Sequence, residues 1–423
     1  MEILIVGAGI GGLTAALRIH ELGLRVIVAE SVREIRPLGV GINLLPHGTA
    51  VLSELGLGDR LAATAIPTRA IEYRTQYGQL ILSDPRGLEA GFPWPQYSIH
   101  RGNLQMLLLD AARERIGPEQ IRTGLEFIDF TRKGDRIVAY FRRADDGGTE
   151  AIEADALVGA DGIRSRVCEV LHPDAPPLLF SGVMMYRGAV EREPFLDGRT
   201  MIIAGHHDCK AVIYPMSQEA SNRGRSLVNW VAEIRVGKDK PYEKEDWNRQ
   251  ARADEFANAY DDWQLDFIDA AGLFRSTPKI YVFPMIDRDP LPRWSFGRVT
   301  LMGDAAHPMY PWGANGGSQA IMDADALAAC FVEARDDIQA AMAQYETRRI
   351  APTAQVVLSN RKGGPERVLD LAQERVRGPH DKISNLITKE ELDAITFDYQ
   401  RVAGFDLETL RKRRPQPRPN SPA

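Results

Sequence analysis

Cysteine is scarce in this chain. The three cysteines, Cys168, Cys209 and Cys330, are odd in number and far apart, which excludes a disulfide framework and a thiolate metal site and points to reduced, structural thiols. Long apolar runs are also missing. No stretch approaches the roughly 18 uninterrupted apolar residues of a membrane helix, and Met1-Glu2 leads straight into a strand pattern without a basic n-region or cleavage site. The expectation is a cytoplasmic protein that meets no membrane. Charge of one sign is lacking too: 52 Lys+Arg against 58 Asp+Glu leave a net charge of −6, so no global field recruits nucleic acid. The basic cluster Arg411-Lys412-Arg413-Arg414 has no interleaved aromatics and opens a Pro-rich end, so residues 411–423 are expected to be a solvated, disordered tail. Neither a Gly-x-Ser-x-Gly elbow nor a catalytic triad nor a metal-ligand cluster stands out in the sequence, and no metal is expected.

What is present begins at the first residues. A chain of 423 residues with 44% hydrophobic content predicts two or three domains. Glu2 to Val6 is an apolar, β-branched run; the chain turns through Gly7, Gly9 and Gly12 into an Ala- and Leu-rich segment ending at Gly23, and a second run, Arg25 to Ala29, closes on Glu30. This strand, glycine turn, helix and strand form the βαβ context of a dinucleotide fingerprint. Gly7 permits the tight turn, Gly9 lets a pyrophosphate approach the backbone, and Gly12 lets the helix pack close to the strand. The pyrophosphate then meets the helix N-terminus, where free N–H groups favour negative charge. Glu30, 18 residues after Gly12, is placed to accept both ribose hydroxyls, which favours FAD or NAD over NADP.

Two later motifs bear on the choice between flavin and nicotinamide. Ala156 to Gly159 runs into Ala160-Asp161-Gly162, and Leu301-Met302 runs into Gly303-Asp304; each apolar strand delivers a carboxylate to its C-terminal end, the usual ligand side of an open α/β sheet. Either aspartate alone is also compatible with an ordinary turn. After Asp304 come Pro308, Pro311 and a Gly/Asn cluster, then a helical stretch from Ser318 to Glu333. A helix N-terminus aimed at a flavin's pyrimidine edge stabilises the negative charge that builds there on reduction, and Gly316 and Gly317 let backbone approach the ring without a Cβ.

Taken in order, Gly7-Ala8-Gly9-Ile10-Gly11-Gly12, Asp161-Gly162 and Gly303-Asp304 resemble the motifs of the FAD-dependent aromatic hydroxylases of the para-hydroxybenzoate hydroxylase type, over nearly the whole chain to about residue 360. Within that family, the runs Glu34 to Asn43, Pro95 to Gly102 and Met309 to Ala320 are most similar to the phenazine-pathway monooxygenases, which hydroxylate and decarboxylate an N-methylphenazine carboxylate. The resemblance implies an α/β, Rossmann-like FAD-binding domain (1–70, 98–178 and 285–335), an inserted antiparallel-sheet substrate domain (71–97 and 179–284) and C-terminal helices (336–410). It places Glu30 on the adenosine ribose, Arg101 and Gln105 by the flavin phosphates and ribityl chain, and Val40 and Gly41 along the isoalloxazine in a mobile loop. It makes Asp161, in the shared Asp-Gly motif linked to both FAD and nicotinamide use, a cofactor-binding residue; Asp304 binds the ribityl chain, Pro311 shapes the oxygen side of the ring, and the Gly316 amide meets its pyrimidine edge. One position departs from the pattern: seven residues after Asp161 the family usually has an arginine, and here stands Cys168. The lost guanidinium bears on reductant preference and flavin reduction rather than on FAD binding.

Between Phe180 and Met285, alternating segments such as Gly182 to Gly188, Thr200 to Ala204 and Ser226 to Val231 read as antiparallel strands, joined by Ala70 to Leu82, and no second glycine fingerprint occurs. A sheet covering the flavin makes a largely apolar pocket, with Met184, Tyr186, Tyr214 and Trp230 as candidate lining, although each is equally suited to a sheet core. His206, His207 and His307 have no carboxylate at a recognisable spacing. The implied reaction uses NADH or NADPH to reduce FAD and O2 to form a C4a-hydroperoxide that oxygenates a small aromatic substrate. A flavin oxidase or dehydrogenase and a nicotinamide-only enzyme are the competing classes, and the protein is expected to be a monomer or homodimer.

Overall fold

Short β-branched strands that are buried on both faces pair in parallel when helices cover each side. In the computed structural model, which describes residues 1–239 and 249–413, this gives a five-stranded parallel sheet in the order Val299–Leu301, Ala156–Gly159, Glu2–Val6, Arg25–Glu30, Ile121–Thr123. Ile3, Leu4, Ile5, Leu157, Val158 and Leu301 on its strands are fully excluded from solvent. The Ile10–Glu21 helix packs on the Arg101–Ile116 and Gly316–Ala334 helices, so three chain regions remote in sequence converge at one end of the sheet. A three-stranded meander (Leu125–Lys133, Arg136–Arg143, Thr149–Ala154) flanks it.

The second large sheet has eight strands, in the order Gln250–Ala251, Ile280–Asp287, Leu179–Arg192, Ser226–Arg235, Cys209–Pro215, Thr200–His206, Ala70–Arg74, Leu80–Pro85. Its neighbours are antiparallel except at one place: Thr200–His206 runs parallel to Ala70–Arg74, the first strand of an earlier hairpin. Side chains alternate across a strand, and the sheet carries two different cores. Ile202, Ala211, Ile213, Trp230 and Ala232 pack on Phe256, Tyr260 and Phe274, whereas Ile71, Met185, Ile203, Val212, Tyr214 and Val231 face Tyr310, Trp312 and the C-terminal helices.

The C-terminal part is helical, as expected, and the longest helices there are Ile338–Arg361, Lys389–Val402 and Arg367–Arg375. The start of the supposed tail differs from expectation. Arg411 and Lys412 end the Leu407–Lys412 helix, and Arg413 folds back to bond Glu54 and Asp325, each at 2.8 Å. The two carboxylates also bind Arg18, at 2.6 and 2.7 Å; a second arginine balances the pair, and this recruits Arg413 from the end of the chain. Residues 414–423, the rest of the expected tail, lie outside the described residues.

Candidate active site: a glycine-lined cofactor cradle under an apolar sheet

The glycine turn is built as its sequence suggests. Gly7 has φ +107°, and a Cβ there would lie 2.4 Å from the Ala160 carbonyl oxygen. At Gly12 a Cβ would lie 2.0 Å from the Gly7 carbonyl oxygen, so helix and strand touch backbone to backbone. Around Gly9 a Cβ would meet nothing within 4 Å. Gly9 is also the N-cap of the Ile10–Glu21 helix and offers no side-chain cap, which leaves an open place with free helical N–H groups, suited to a pyrophosphate. Glu30 ends the neighbouring strand; its Oε2 accepts from the Ala8 amide at 2.8 Å and its Oε1 from the Val32 amide at 3.0 Å. Those bonds orient the carboxylate and leave lone pairs for a ribose. Gln105 donates to the Ala8 carbonyl at 2.9 Å, holding the turn from behind.

Asp304 follows the Val299–Leu301 strand and is exposed, with no protein hydrogen-bond partner among the described residues. Desolvation in the cleft nevertheless raises its pKa, against the pull of His307 and Arg101. Arg101 begins the Arg101–Ile116 helix, exposed, and its charge acts on both Asp304 and the half-buried Arg187. Pro311 is exposed at the next turn. Gly313 (φ +75°) cannot hold a Cβ, which would come within 2.1 Å of the Tyr399 hydroxyl, and this hydroxyl donates to Asn360 at 2.8 Å while accepting from Asn315 at 2.9 Å. The turn therefore delivers Gly316, the first residue of a 19-residue helix without a side-chain N-cap, in a set position. A Cβ on Gly316 would find only Met309 Cγ, at 3.9 Å, whereas one on Gly317 would press on Ile42 at 2.9 Å. Gly316 has the open backbone and Gly317 the packing role. An open Gly9, a free carboxylate at Asp304 and an uncapped helix end at Gly316 together fit the phosphates, polyol and pyrimidine edge of FAD.

Asp161 is tied into the protein's own backbone. Its Oδ1 accepts from the Ser165 hydroxyl at 2.5 Å and its Oδ2 from the Val167 amide at 3.1 Å, so the carboxylate caps the Arg166–Leu171 helix behind the glycine turn. Cys168 lies on that helix, fully buried, and Arg288 donates to its sulfur at 3.0 Å. A guanidinium thus does stand beside this motif, supplied from residue 288 instead of 168.

Val40 is buried, and Gly41 joins the cradle to the large sheet. The Gly41 amide donates to Asn229 Oδ1 at 2.6 Å, and its carbonyl accepts from Arg187 Nη2 at 2.8 Å. A Cβ on Gly41 would lie 2.7 Å from the ring and hydroxyl of Tyr214. Burial pushes the Tyr214 phenol up to about 12, so it stays protonated. Of the four aromatic and methionine candidates, Tyr214 alone faces this loop. Trp230 is fully buried on the opposite face, its indole donating to Thr277 at 2.8 Å. Tyr186 stacks on Phe256 there, with centroids 4.2 Å apart, and Met184, two residues earlier on the same strand, shares that direction. Strands apolar on both faces carry no alternation to show which face is which. The cofactor side instead receives Met185 and Arg187. An arginine directly after the apolar Met184-Met185-Tyr186 run was the available signal for Arg187.

His307 has a carboxylate partner after all. Asp323, from the Gly316–Ala334 helix, lies 2.5 Å away and also binds the Gly303 amide at 2.9 Å and Arg349 at 2.7 Å. Both His307 and Asp323 are buried beneath the turn, so the pair braces Gly303 away from the reaction space.

The FAD binding domain family matches residues 1–360. The phenazine 1,6-dicarboxylic acid hydroxylase PhzS of Lysobacter antibioticus is 48% identical over 365 residues, 85% of this chain and 89% of its own. The 3-hydroxybenzoate 6-hydroxylase 1 of Aquipseudomonas alcaligenes is 32% identical, covering 84% and 86%. Among solved structures, HpxO of Klebsiella pneumoniae complexed with FAD and uric acid superposes with TM-score 0.71 at 22% identity, covering 97% of each chain, which supports the fold. No helix among the described residues is long and apolar enough to cross a membrane. The chain belongs to the FAD binding domain family and, within it, to the FAD-dependent aromatic monooxygenases.

Proposed function

We propose that the chain hydroxylates an aromatic or heteroaromatic acid of the phenazine-carboxylate class. FAD, when bound, supplies hydride acceptance from NADH or NADPH and activation of O2. Overall, ArH, O2, NAD(P)H and a proton give ArOH, water and NAD(P)+. Where the attacked carbon bears a carboxylate, ArCOO−, O2, NAD(P)H and two protons give ArOH, CO2, water and NAD(P)+.

The observation that carries this reading is the apolar face of the large sheet, with Met185, Val212 and Tyr214, standing over the Gly41 loop of the cradle. A planar ring fits between such a face and the Pro311 turn, and apolar walls keep out the water that diverts oxygen to peroxide. Arg187, Asn229 and Tyr214 hold Gly41 and so fix that loop relative to the ring plane. Glu30, Arg101, Gln105 and Asp304 serve the ribose, phosphates and ribityl chain in this scheme, and no side chain is required as a nucleophile. A cytoplasmic monomer or homodimer is proposed.

The test is NADH and NADPH oxidation in air with phenazine carboxylates and hydroxybenzoates, with and without catalase. Oxidation that rises with a phenazine carboxylate and returns no O2 to catalase supports the proposal. Oxidation that yields stoichiometric peroxide with every compound contradicts it.

A further inference from the structure

A cavity of about 320 Å³ opens beside the cradle, between the large sheet and the C-terminal helices. Its wall carries Lys210, Arg235, Lys238, Arg361 and Lys362, together with two histidines, against only two carboxylates, Glu366 and Asp370. Pairing accounts for part of this excess. Lys210 lies 3.0 Å from Glu233 and also binds Glu366; Arg361 holds Asp287 and Asp289, each at 2.6 Å; and Asp370 lies 3.4 Å from His207. Arg235 is paired with Asp208 at 3.3 Å, whereas Lys238 and Lys362, both exposed, have no carboxylate partner among the described residues. Two ammonium groups without a carboxylate at the rim of the cavity suit an anion.

The cavity is continuous in direction with the cofactor face. Lys210 shares its side of the Cys209–Pro215 strand with Val212 and Tyr214, and the four steps from Lys210 to Tyr214 span about 13 Å at about 3.3 Å per residue. Trp312 is the wall between the two spaces: it packs with Val212 and Tyr214, lines the cavity, takes Lys210 over its ring at 4.7 Å and donates to Glu233 at 3.0 Å. A fused tricyclic ring lying along this strand reaches from the Gly41 loop towards the basic wall.

We propose that this cavity is the anion-accepting end of the substrate site, holding a carboxylate of an aromatic acid while its ring lies along the Val212–Tyr214 face. The proposal rests on the aromatic-acid reading above and adds the residues that select the acid over its uncharged counterpart.

The test uses the FAD-loaded full chain. Phenazine-1,6-dicarboxylate and 3-hydroxybenzoate are titrated beside unsubstituted phenazine and 3-hydroxybenzyl alcohol, with the flavin spectrum as the binding signal, and wild type is compared with Lys238→Ala/Lys362→Ala. Exposed cations contribute modestly, so the paired substitution is expected to raise the anions' Kd about three- to tenfold, with a smaller effect at high salt. The uncharged compounds should move less than twofold. Lys362→Arg should restore anion binding in the Lys238→Ala background. Equal binding of each acid and its uncharged counterpart, no binding of either acid, or an effect confined to the KM of NADH or NADPH would overturn the proposal; the last would assign the cavity to the reductant's phosphates. Failure of the aromatic-acid reading is seen separately, as wild type that binds the acids but forms no hydroxylated product from any of them.

Discussion

At Gly9 and Gly12 the same small side chain answers two different demands. The space above Gly9 is empty of protein and that above Gly12 is filled by the Gly7 carbonyl. Gly9→Val should therefore leave the fold intact while weakening FAD binding at least tenfold, a change of about 1.4 kcal/mol or more, measurable as flavin retention on gel filtration with an unchanged circular dichroism melt. Gly12→Ala should destabilise the protein itself, because helix and strand must part to admit a Cβ, and its melting temperature should drop by several degrees. These glycines and Glu30 were legible in the sequence because a phosphate-binding turn has local spacing rules. The Arg288–Cys168 contact was not: the guanidinium comes from 120 residues further along the chain, and nothing in the Asp-Gly motif points to it. The partner of His307 is hidden for a similar reason, since Asp323 stands 16 residues away on a separate helix.

Among the elements, the uncapped helix beginning at Gly316 depends on a turn that is held from the C-terminal region. Tyr399 ties Asn315, Asn360 and the Trp312 carbonyl through one hydroxyl. Tyr399→Phe leaves Asn315 and Asn360 short of a partner, at a cost of about 1–3 kcal/mol, and should raise the share of nicotinamide oxidation that ends as peroxide, read with a peroxidase assay. The Leu407–Lys412 helix acts through Arg413, which closes a buried box with Arg18, Glu54 and Asp325. Burial alone would raise the Glu54 carboxyl, but Arg413 and Arg18 hold it below its usual value of 4.5. A lowered folded pKa gives stability that is present above the unfolded value and fades as pH falls through the folded one. Arg413→Ala should therefore cost about 3 kcal/mol near neutrality, and the difference from wild type in thermal or urea melts should shrink as pH drops below about 4.5. The strands of the eight-stranded sheet were legible as strands, yet not their facing: Met184-Met185-Tyr186 is apolar at consecutive positions, and only the partners of each face reveal that Met185 and Arg187 share the side of Tyr214 and the Gly41 loop.

For the molecule as a whole, Gly41 ties a five-stranded dinucleotide-binding sheet to an eight-stranded cover. The three ordered motifs made the cofactor and overall fold legible, because each marks the ligand-side end of a strand or the opening of a helix. The basic cavity proposed for the substrate's anion was not legible, since it draws Lys210, Arg235 and Lys362 from two strands and a helix end that meet only in three dimensions. The central claim is that one atom of O2 enters the aromatic product. Turnover of a phenazine carboxylate by the FAD-loaded protein under 18O2, followed by mass spectrometry, tests it most directly. The account predicts a product whose new hydroxyl carries one 18O, with the second atom in water. A product without label, or label recovered only as peroxide while the phenazine carboxylate is bound and NAD(P)H is consumed, would contradict it.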